Sequence, residues 1–280
     1  VHTTASQELP QGDDSPPRPR LPRLQGFRVL VADDNEINLR LVCELLQRAG
    51  AQVTGAGDGR ELLEHWQRSR FDCLFVDVHM PEIDGLEATV RIRGAEKAGE
   101  RVPIVALTAD ATLANQKKIV TSGVDDYLIK PIDEANLWRM VEGLLLAEHS
   151  RRAPTRPEAT PQGEESDIEA NLPIRDESYA LKIAGGNLEL AKDLFDTFME
   201  DLPAQFRELQ RLVRARVWSE LRDTAHRMRG STSYCGVPAL NRAVQRLEQA
   251  AEVRDAVQAA AALSRVQWEV ERLRKLSSAA

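Results

Sequence analysis

The sequence is poor in aromatic side chains, in cysteine and in long hydrophobic runs, and each shortage excludes a class of protein. Only 5% of the 280 residues are aromatic, so the cores must be built mainly from aliphatic side chains. The three cysteines (Cys43, Cys73 and Cys235) have neither metal-ligand nor disulfide spacing, which predicts reduced thiols in a cytoplasmic setting. No run reaches the roughly 18 apolar residues of a membrane helix and no signal peptide is visible, so we expect no membrane contact by this segment.

A concentrated basic surface is missing as well. The formal net charge is -7 and the sequence pI is about 5.4, so we expect no direct nucleic-acid binding. With 42% hydrophobic and 29% charged residues, the chain has the composition of a globular protein long enough for about two domains. It opens on Val1 rather than methionine, which raises the expectation that it is part of a longer protein.

Proline-rich polar stretches divide the chain into two unlike halves. Residues 1–25 are predicted to be a disordered lead, and residues 149–175 a proline- and charge-rich linker. Between them, residues 26–148 alternate five apolar runs of strand length with five helical patterns, which predicts a doubly wound α/β domain with a five-stranded parallel sheet. Residues 176–280 show only helical spacing, which predicts an antiparallel bundle of four or five helices. Pro203 is expected to interrupt the first long helix of that bundle.

Five polar side chains meet at the carboxyl edge of the predicted sheet, where such folds place their function: Asp33, Asp34, Asp77, Thr108 and Lys130. Three neighbouring carboxylates repel one another unless a cation neutralises them, and an open site with oxygen ligands favours magnesium. Lys130 can pair with an oxyanion and Thr108 can donate a hydrogen bond to one, so the group predicts a phosphoryl site with one aspartate as acceptor. Taken singly, Asp33 or Asp34 could instead be the N-cap of the next helix.

Four segments carry a resemblance to a known family. VLVADDNEINLRL, FVDVHMPEIDGLEAT, PIVALTADA and DDYLIKPI resemble the signature segments of the receiver domain of response regulators, of the kind fused to hybrid sensor kinases. The resemblance covers residues 26–148 and implies a flavodoxin-like fold with Asp77 as the phospho-acceptor.

The same resemblance implies roles for the residues around Asp77. It implies magnesium bound by a set of four oxygen donors: Asp33, Asp34, Asp77 and the backbone carbonyl of His79. It further implies Lys130 as the partner of the phosphoryl group, with Thr108 and Tyr127 as the pair that switches on activation.

One histidine of the helical half lies beside a narrow apolar stripe. Small or apolar residues recur at spacings of three and four along one helix: Leu221, Ala225, Met228, Thr232 and Cys235. His226 lies one residue off this stripe, near its edge, where we expect it to be accessible. Arg229 places a cation one turn away, and Gly230 costs the helix about 1 kcal/mol against alanine. Without other information, His226 could equally be a polar boundary residue of the bundle.

The stretch AHRMRGSTSYCGVPAL resembles the phosphorylation motif of histidine-containing phosphotransfer (HPt) domains, and the resemblance extends over about residues 176–280. It is most similar to the HPt domain of hybrid sensor kinases of the BarA/GacS type. It implies His226 as a second phospho-acceptor. The family usually has lysine where this sequence has Arg229, so the cation that steadies the phosphoryl group is kept. Gly230 would leave clearance for a docking domain.

Together the two resemblances imply a phosphorelay segment of a two-component system. A phosphoryl group would pass from a histidine of an upstream kinase core, in the parent protein or in another chain, to Asp77. It would then pass to His226 and on to the receiver of a separate response regulator. No ATP-site motif is visible in this sequence. The resemblance implies that the chain is part of a hybrid histidine kinase, anchored in the inner membrane. Two alternatives stay open: a regulatory module that docks on a kinase without relay, and a phosphate drain in which Asp77 hydrolyses and resets the pathway.

Overall fold

The computed structural model describes residues 24–97, 99–109, 112–147 and 172–278. The predicted disordered lead and proline-rich linker fall almost entirely outside the described residues. At their inner ends, Leu24 is buried and donates its backbone N–H to the carbonyl of Ala49 at 2.9 Å, and Ile174 packs against the core. The predicted domain boundaries stay predictions.

The first domain is built on one parallel sheet whose strand order is β2-β1-β3-β4-β5. The strands are β1 (Arg28–Ala32), β2 (Gln52–Ala56), β3 (Cys73–Asp77), β4 (Ile104–Thr108) and β5 (Asp126–Ile129). Every residue of β3 and β4 is buried, because helices cover both faces of a parallel sheet. The predicted doubly wound α/β fold is confirmed.

Five helices alternate with these strands: α1 (Glu36–Arg48), α2 (Gly59–Arg68), α3 (Gly85–Ala95), α4 (Leu113–Thr121) and α5 (Glu134–Ala147). Helix α1 is capped by Asn35, whose side-chain oxygen accepts from the N–H groups of Ile37 and Asn38. The alternative that Asp33 or Asp34 caps this helix is therefore wrong, and both carboxylates remain available at the strand end.

The second domain is a bundle of five helices: α6 (Glu177–Ile183), α7 (Leu188–Ala215), α8 (Trp218–Tyr234), α9 (Pro238–Glu252) and α10 (Ala256–Ser278). Helix α9 packs between α8 and α10, and α7 closes the bundle against both of them. The whole predicted stripe of α8 is buried, which fixes the rotation of that helix and leaves His226 at the edge of the buried face. No helix in the described ranges has the length and apolar character needed to cross a bilayer.

The prediction that Pro203 interrupts the first long helix is wrong. Helix α7 runs unbroken through Pro203, although a proline inside a helix costs about 3 kcal/mol or more in lost hydrogen bonding and steric conflict. Phe198, Leu202 and Leu209 are fully buried on either side of it. Burying each such side chain stabilises the helix by roughly 1.5–3 kcal/mol, so tertiary packing outweighs the local preference.

The two domains pack against each other along helix α1. This helix contacts both α7 and α8, and buried apolar residues of both domains belong to one continuous cluster. Two arginines of α1 add polar contacts: Arg40 Nη2 lies 2.9 Å from Asp193 Oδ2, and Arg48 Nη1 donates to the carbonyl of Ala184 at 3.3 Å. Because α1 begins beside the ends of the strands, this packing places α8 over the acidic edge of the sheet.

Candidate functional site

Three carboxylates and one ammonium group form the floor of the site. Asp33 follows β1 and Asp77 ends β3, and their side chains are almost completely buried. Lys130, which follows β5, places Nζ 2.7 Å from Asp33 Oδ2 and 2.8 Å from Asp77 Oδ2. The carboxylate oxygens of Asp33, Asp34 and Asp77 all lie within 4.8 Å of one another. Four of the five predicted residues, Asp33, Asp34, Asp77 and Lys130, therefore lie close together in the structure.

The charges of this floor do not balance, because one lysine faces three carboxylates. Burial raises the pKa of Asp33 to about 6 although Lys130 opposes the shift, and burial together with the charge of Asp33 raises the pKa of Asp34 to about 6. Burial likewise raises the pKa of Asp77, against the influence of Lys130. Oxygen donors that still lack neutralising charge are the ligands that a hard divalent cation such as magnesium prefers. The residues present therefore fit such a cation.

His226 of α8 is positioned by a carboxylate from the neighbouring helix. Its Nδ1 lies 2.7 Å from Oε1 of Glu248 on α9, and the side chain of His226 is 23% exposed. An ionised carboxylate can only accept, so in the neutral imidazole this contact assigns the proton to Nδ1 and leaves the lone pair on Nε2. Oε2 of Glu248 lies 3.1 Å from Nε of Arg229, so one acidic side chain holds both the histidine and its neighbouring cation.

The residues around Asp77 in the first domain and those around His226 in the second domain face each other across one cavity of about 180 Å³. Asp77 and Lys130 line it from the first domain, and His226 and Arg229 line it from the second. The rings of His79 and His226 lie across the domain boundary with centroids 5.1 Å apart. An aspartate and a histidine that are separated by more than half of the chain therefore open into the same space.

Asn35 joins the two domains beside this cavity. Its side-chain nitrogen donates to the carbonyl of Arg227 and to the hydroxyl of Ser231, both at 2.7 Å. Gly230 lies between these two acceptors on α8, and a Cβ added there would approach Nδ2 of Asn38 to 3.0 Å. The absence of a side chain at position 230 thus lets α1 and α8 come close together.

Tyr234 provides a second junction one turn further along α8. Its side chain is fully buried, and its hydroxyl accepts from the backbone N–H of Ile132 at 2.9 Å, just after the cis peptide bond between Lys130 and Pro131. Arg227 Nη1 lies 3.7 Å from Asp34 Oδ2, which adds an ion pair across the boundary. The start of α1 and the loop after β5 therefore both contact α8.

Four of the predicted site residues do not line the cavity: Asp33, His79, Thr108 and Tyr127. Thr108 is buried at the end of β4, where its carbonyl accepts from the N–H of Lys130 at 2.7 Å. Tyr127 is half-buried and packs near Ala106 and Ile119 on a different part of the sheet. Both remain predictions as a switch pair, as does the carbonyl of His79 as a metal ligand, although the N–H of His79 contacts Asp77 Oδ1 at 3.3 Å.

Four residues that shape the site were not predicted from the sequence: Asn35, Asn38, Tyr234 and Glu248. Asn35 and Asn38 follow the acidic pair directly, and the cap preference of asparagine was a usable signal for Asn35. Nothing local marks Glu248, because its contact with His226 depends on how α8 and α9 are rotated against each other. Tyr234 sits in the quoted HPt motif, but its partner belongs to the other domain.

Comparison with known families agrees with this geometry. Residues 29–142 match the response regulator receiver domain, and residues 193–276 match the Hpt domain. The chain therefore carries a receiver domain followed by an Hpt domain, the pair found in hybrid histidine kinases of two-component systems.

Among individual proteins, the chain is homologous to the GacS and BarA sensor kinases over most of its length. It is 36% identical over 252 residues to sensor histidine kinase GacS of Pseudomonas protegens, covering 88% of this chain and 26% of that protein. It is 29% identical over 221 residues to BarA of Escherichia coli, covering 79% and 23%. The chain spans about a quarter of the length of these curated relatives.

Among solved structures, the receiver domain of sensor histidine kinase PA1611 from Pseudomonas aeruginosa is 35% identical, with a TM-score of 0.40. The match covers 43% of this chain and 98% of that one, and that structure holds a magnesium ion in its active-site cleft.

Proposed function

We propose that the chain relays a phosphoryl group from Asp77 of its receiver domain to His226 of its HPt domain. The observation that carries the proposal is the shared cavity, into which Asp77, Lys130 and His226 open from two domains. The receiver would extend from Leu24 to about residue 148, and the HPt domain from about residue 172 to the end of the chain.

The first step loads the receiver. A carboxylate oxygen of Asp77 attacks the phosphorus of a phosphohistidine, the P–N bond breaks, and the donor imidazole leaves with the electron pair. Lys130, held 2.8 Å from Asp77, offsets negative charge on the transferring oxygens. Three oxygen donors (Asp33, Asp34 and Asp77) would hold a magnesium ion, which supplies further charge stabilisation when bound.

The second step moves the group across the domain boundary. The lone pair of His226 Nε2 attacks the phosphorus of the aspartyl phosphate, the P–O bond breaks, and the carboxylate of Asp77 leaves. Glu248 keeps the proton on Nδ1 and stabilises the positive charge that develops on the ring. An ion pair with the same carboxylate holds Arg229 next to the histidine, so its positive charge can stabilise the phosphoryl oxygens.

The wider relay extends beyond this chain. The donor histidine would belong to a kinase core, either in the parent protein or in another chain. The acceptor after His226 would be the receiver domain of a separate response regulator. We place both transfers in the cytoplasm, with the parent protein anchored in the inner membrane.

The test is to follow one labelled phosphoryl group through three full-length chains: native, Asp77→Asn and His226→Gln. Each is incubated with radiolabelled acetyl phosphate and magnesium, and the label is then challenged with alkali, which hydrolyses aspartyl phosphate and spares phosphohistidine. We expect alkali-stable label in the native chain, alkali-labile label alone in His226→Gln, and none in Asp77→Asn.

The same experiment separates the relay from its alternatives. Label that appears on Asp77 and is released without ever reaching His226 would contradict the relay and support a phosphate drain. Absence of label from Asp77 in the native chain would instead favour a module that only docks.

A further inference from the structure

The face of α8 that carries His226 is covered by the receiver of the same chain. Arg227 and Ser231 receive both hydrogen bonds of the Asn35 amide, Gly230 contacts the start of α1, and Tyr234 is buried against the loop after β5. These positions all lie within about two helical turns after His226, and the ring of His79 lies beside the ring of His226 itself. A second domain that approaches His226 must therefore contact surface that is already occupied.

Asn35 has two roles that use different atoms of one amide. Its oxygen caps α1 by accepting from the N–H groups of Ile37 and Asn38, and its nitrogen donates twice to α8. The side chain is nearly buried, so both donated bonds are shielded from water. Because the same amide group caps α1 and donates to α8, it can hold the two domains together only when α1 is formed.

The surface of α8 defines the chemistry of any partner that replaces the receiver. It offers two acceptors, the carbonyl of Arg227 and the hydroxyl of Ser231, across the small Gly230, and it offers the hydroxyl of Tyr234 to a backbone N–H. A fitting partner must supply an amide donor at the start of a helix and a free N–H just after a Lys-Pro step. The receiver of another copy of this chain supplies both, through its Asn35 and Ile132.

We propose that the receiver masks the phosphorylation face of its own HPt domain against other receivers, and that Asn35 is the clasp that keeps this mask closed. The inference rests on the proposed function in one respect, since it takes His226 as a phosphoryl acceptor. The receiver that phosphorylates the HPt domain must then also dissociate from it before the next receiver can bind.

The experiment measures transfer between two full-length chains. The donor is the His226→Gln chain, loaded on Asp77 with radiolabelled acetyl phosphate and separated from excess reagent. The acceptor is the Asp77→Asn chain, with or without Asn35→Ser, and it carries a size tag so that its label can be counted apart. Serine keeps the N-cap of α1, because its hydroxyl accepts as asparagine does, but it cannot make the two donated bonds.

We expect the Asn35→Ser acceptor to gain alkali-stable label roughly tenfold faster than its parent, because loss of two hydrogen bonds opens the mask. The same donor, with its own Asn35 intact, is used in every arm, so closure of the donor's own domains affects all rates equally. In an otherwise native chain the same substitution should slow the passage of label from Asp77 to His226. Faster transfer between chains together with slower transfer within one chain indicates an opened contact between the domains. A damaged fold would slow both transfers.

Two further variants of the acceptor keep the test decisive. Arg40→Glu sets like charges against Asp193 across the same boundary, and we expect a smaller acceleration from this exposed pair. Asp58→Asn changes the cap of α2, which packs on α3, β1 and β2, and we expect no change in transfer between chains.

An acceptor that takes label no faster with Asn35→Ser and Arg40→Glu than without them would overturn the mask. So would an Asn35→Ser acceptor that is never labelled by a second chain, although the proposed relay would then stand. Failure of the native chain to label His226 at all would overturn the proposed function as well.

Discussion

The two proposed phospho-acceptors of the chain, Asp77 and His226, are built in different ways. Asp77 lies in a nearly closed setting to which three strand ends contribute, and its neighbours are two further carboxylates and a buried lysine. His226 is half-buried on the surface of one helix and is held by Glu248 from the next helix. The receiver therefore concentrates the charge needed to make and break bonds to phosphorus, whereas the HPt domain presents an oriented nucleophile.

The difference predicts an unequal response to substitution. Changes among the charged neighbours of Asp77 remove groups that act on the reacting oxygens themselves. Changes around His226 alter how well the ring is aimed or how closely the receiver approaches. Effects should therefore be large in the receiver, intermediate at the carboxylate that aims the histidine, and small at the positions that only shape the contact.

The largest effect is expected for Lys130→Met, which removes the ammonium group but keeps most of the volume of the side chain. Transfer from Asp77 to His226 should slow on the order of 100-fold or more, because an electrostatic contact to the transferring group is lost. Single-turnover labelling of His226 measures this. The exposed Lys118→Met serves as the control and should transfer normally. A normal rate of labelling of His226 in Lys130→Met would contradict the idea that the receiver supplies the charge needed for the transfer.

An intermediate effect is expected at Glu248. Glu248→Ala frees the imidazole and Arg229 together, so labelling of His226 should slow by roughly 10- to 100-fold while Asp77 is loaded as before. Glu248→Gln should recover much of the rate, since its amide oxygen can still accept from Nδ1. If glutamine were as slow as alanine, the negative charge rather than the orientation of the ring would be the essential contribution.

The smallest effect on transfer is expected for Gly230→Ala, which should change stability and transfer in opposite directions. Alanine inside α8 should stabilise the bundle by about 1 kcal/mol. The new Cβ would lie 3.0 Å from Asn38 Nδ2, which is bound to Asp33 at 3.1 Å, so labelling of His226 should slow a few-fold.

The matched control for that variant is Gly143→Ala in α5, where an added Cβ meets no atom within 4 Å. It should stabilise the receiver and leave transfer unchanged. Thermal unfolding and single-turnover labelling of the two variants sharpen the comparison. Equal transfer by both would show that the close approach at position 230 is unimportant.

The sequence predicted what depends on local pattern and missed what depends on contact between distant segments. The parallel sheet followed from five apolar runs, and the acidic floor followed from where those runs end. Pro203 was misjudged because buried neighbours outweigh the local cost of a proline in a helix. Glu248 and Tyr234 could not be assigned a role, since each meets its partner only after the helices have docked.

The continuous apolar cluster that joins α1 to the bundle has a consequence for how temperature acts on the molecule. Separating the domains must hydrate part of that cluster together with the ring of Tyr234, and newly hydrated apolar surface raises heat capacity. The balance between closed and open forms therefore follows a curved dependence on temperature, and excluded solutes such as sulfate shift it toward the closed form.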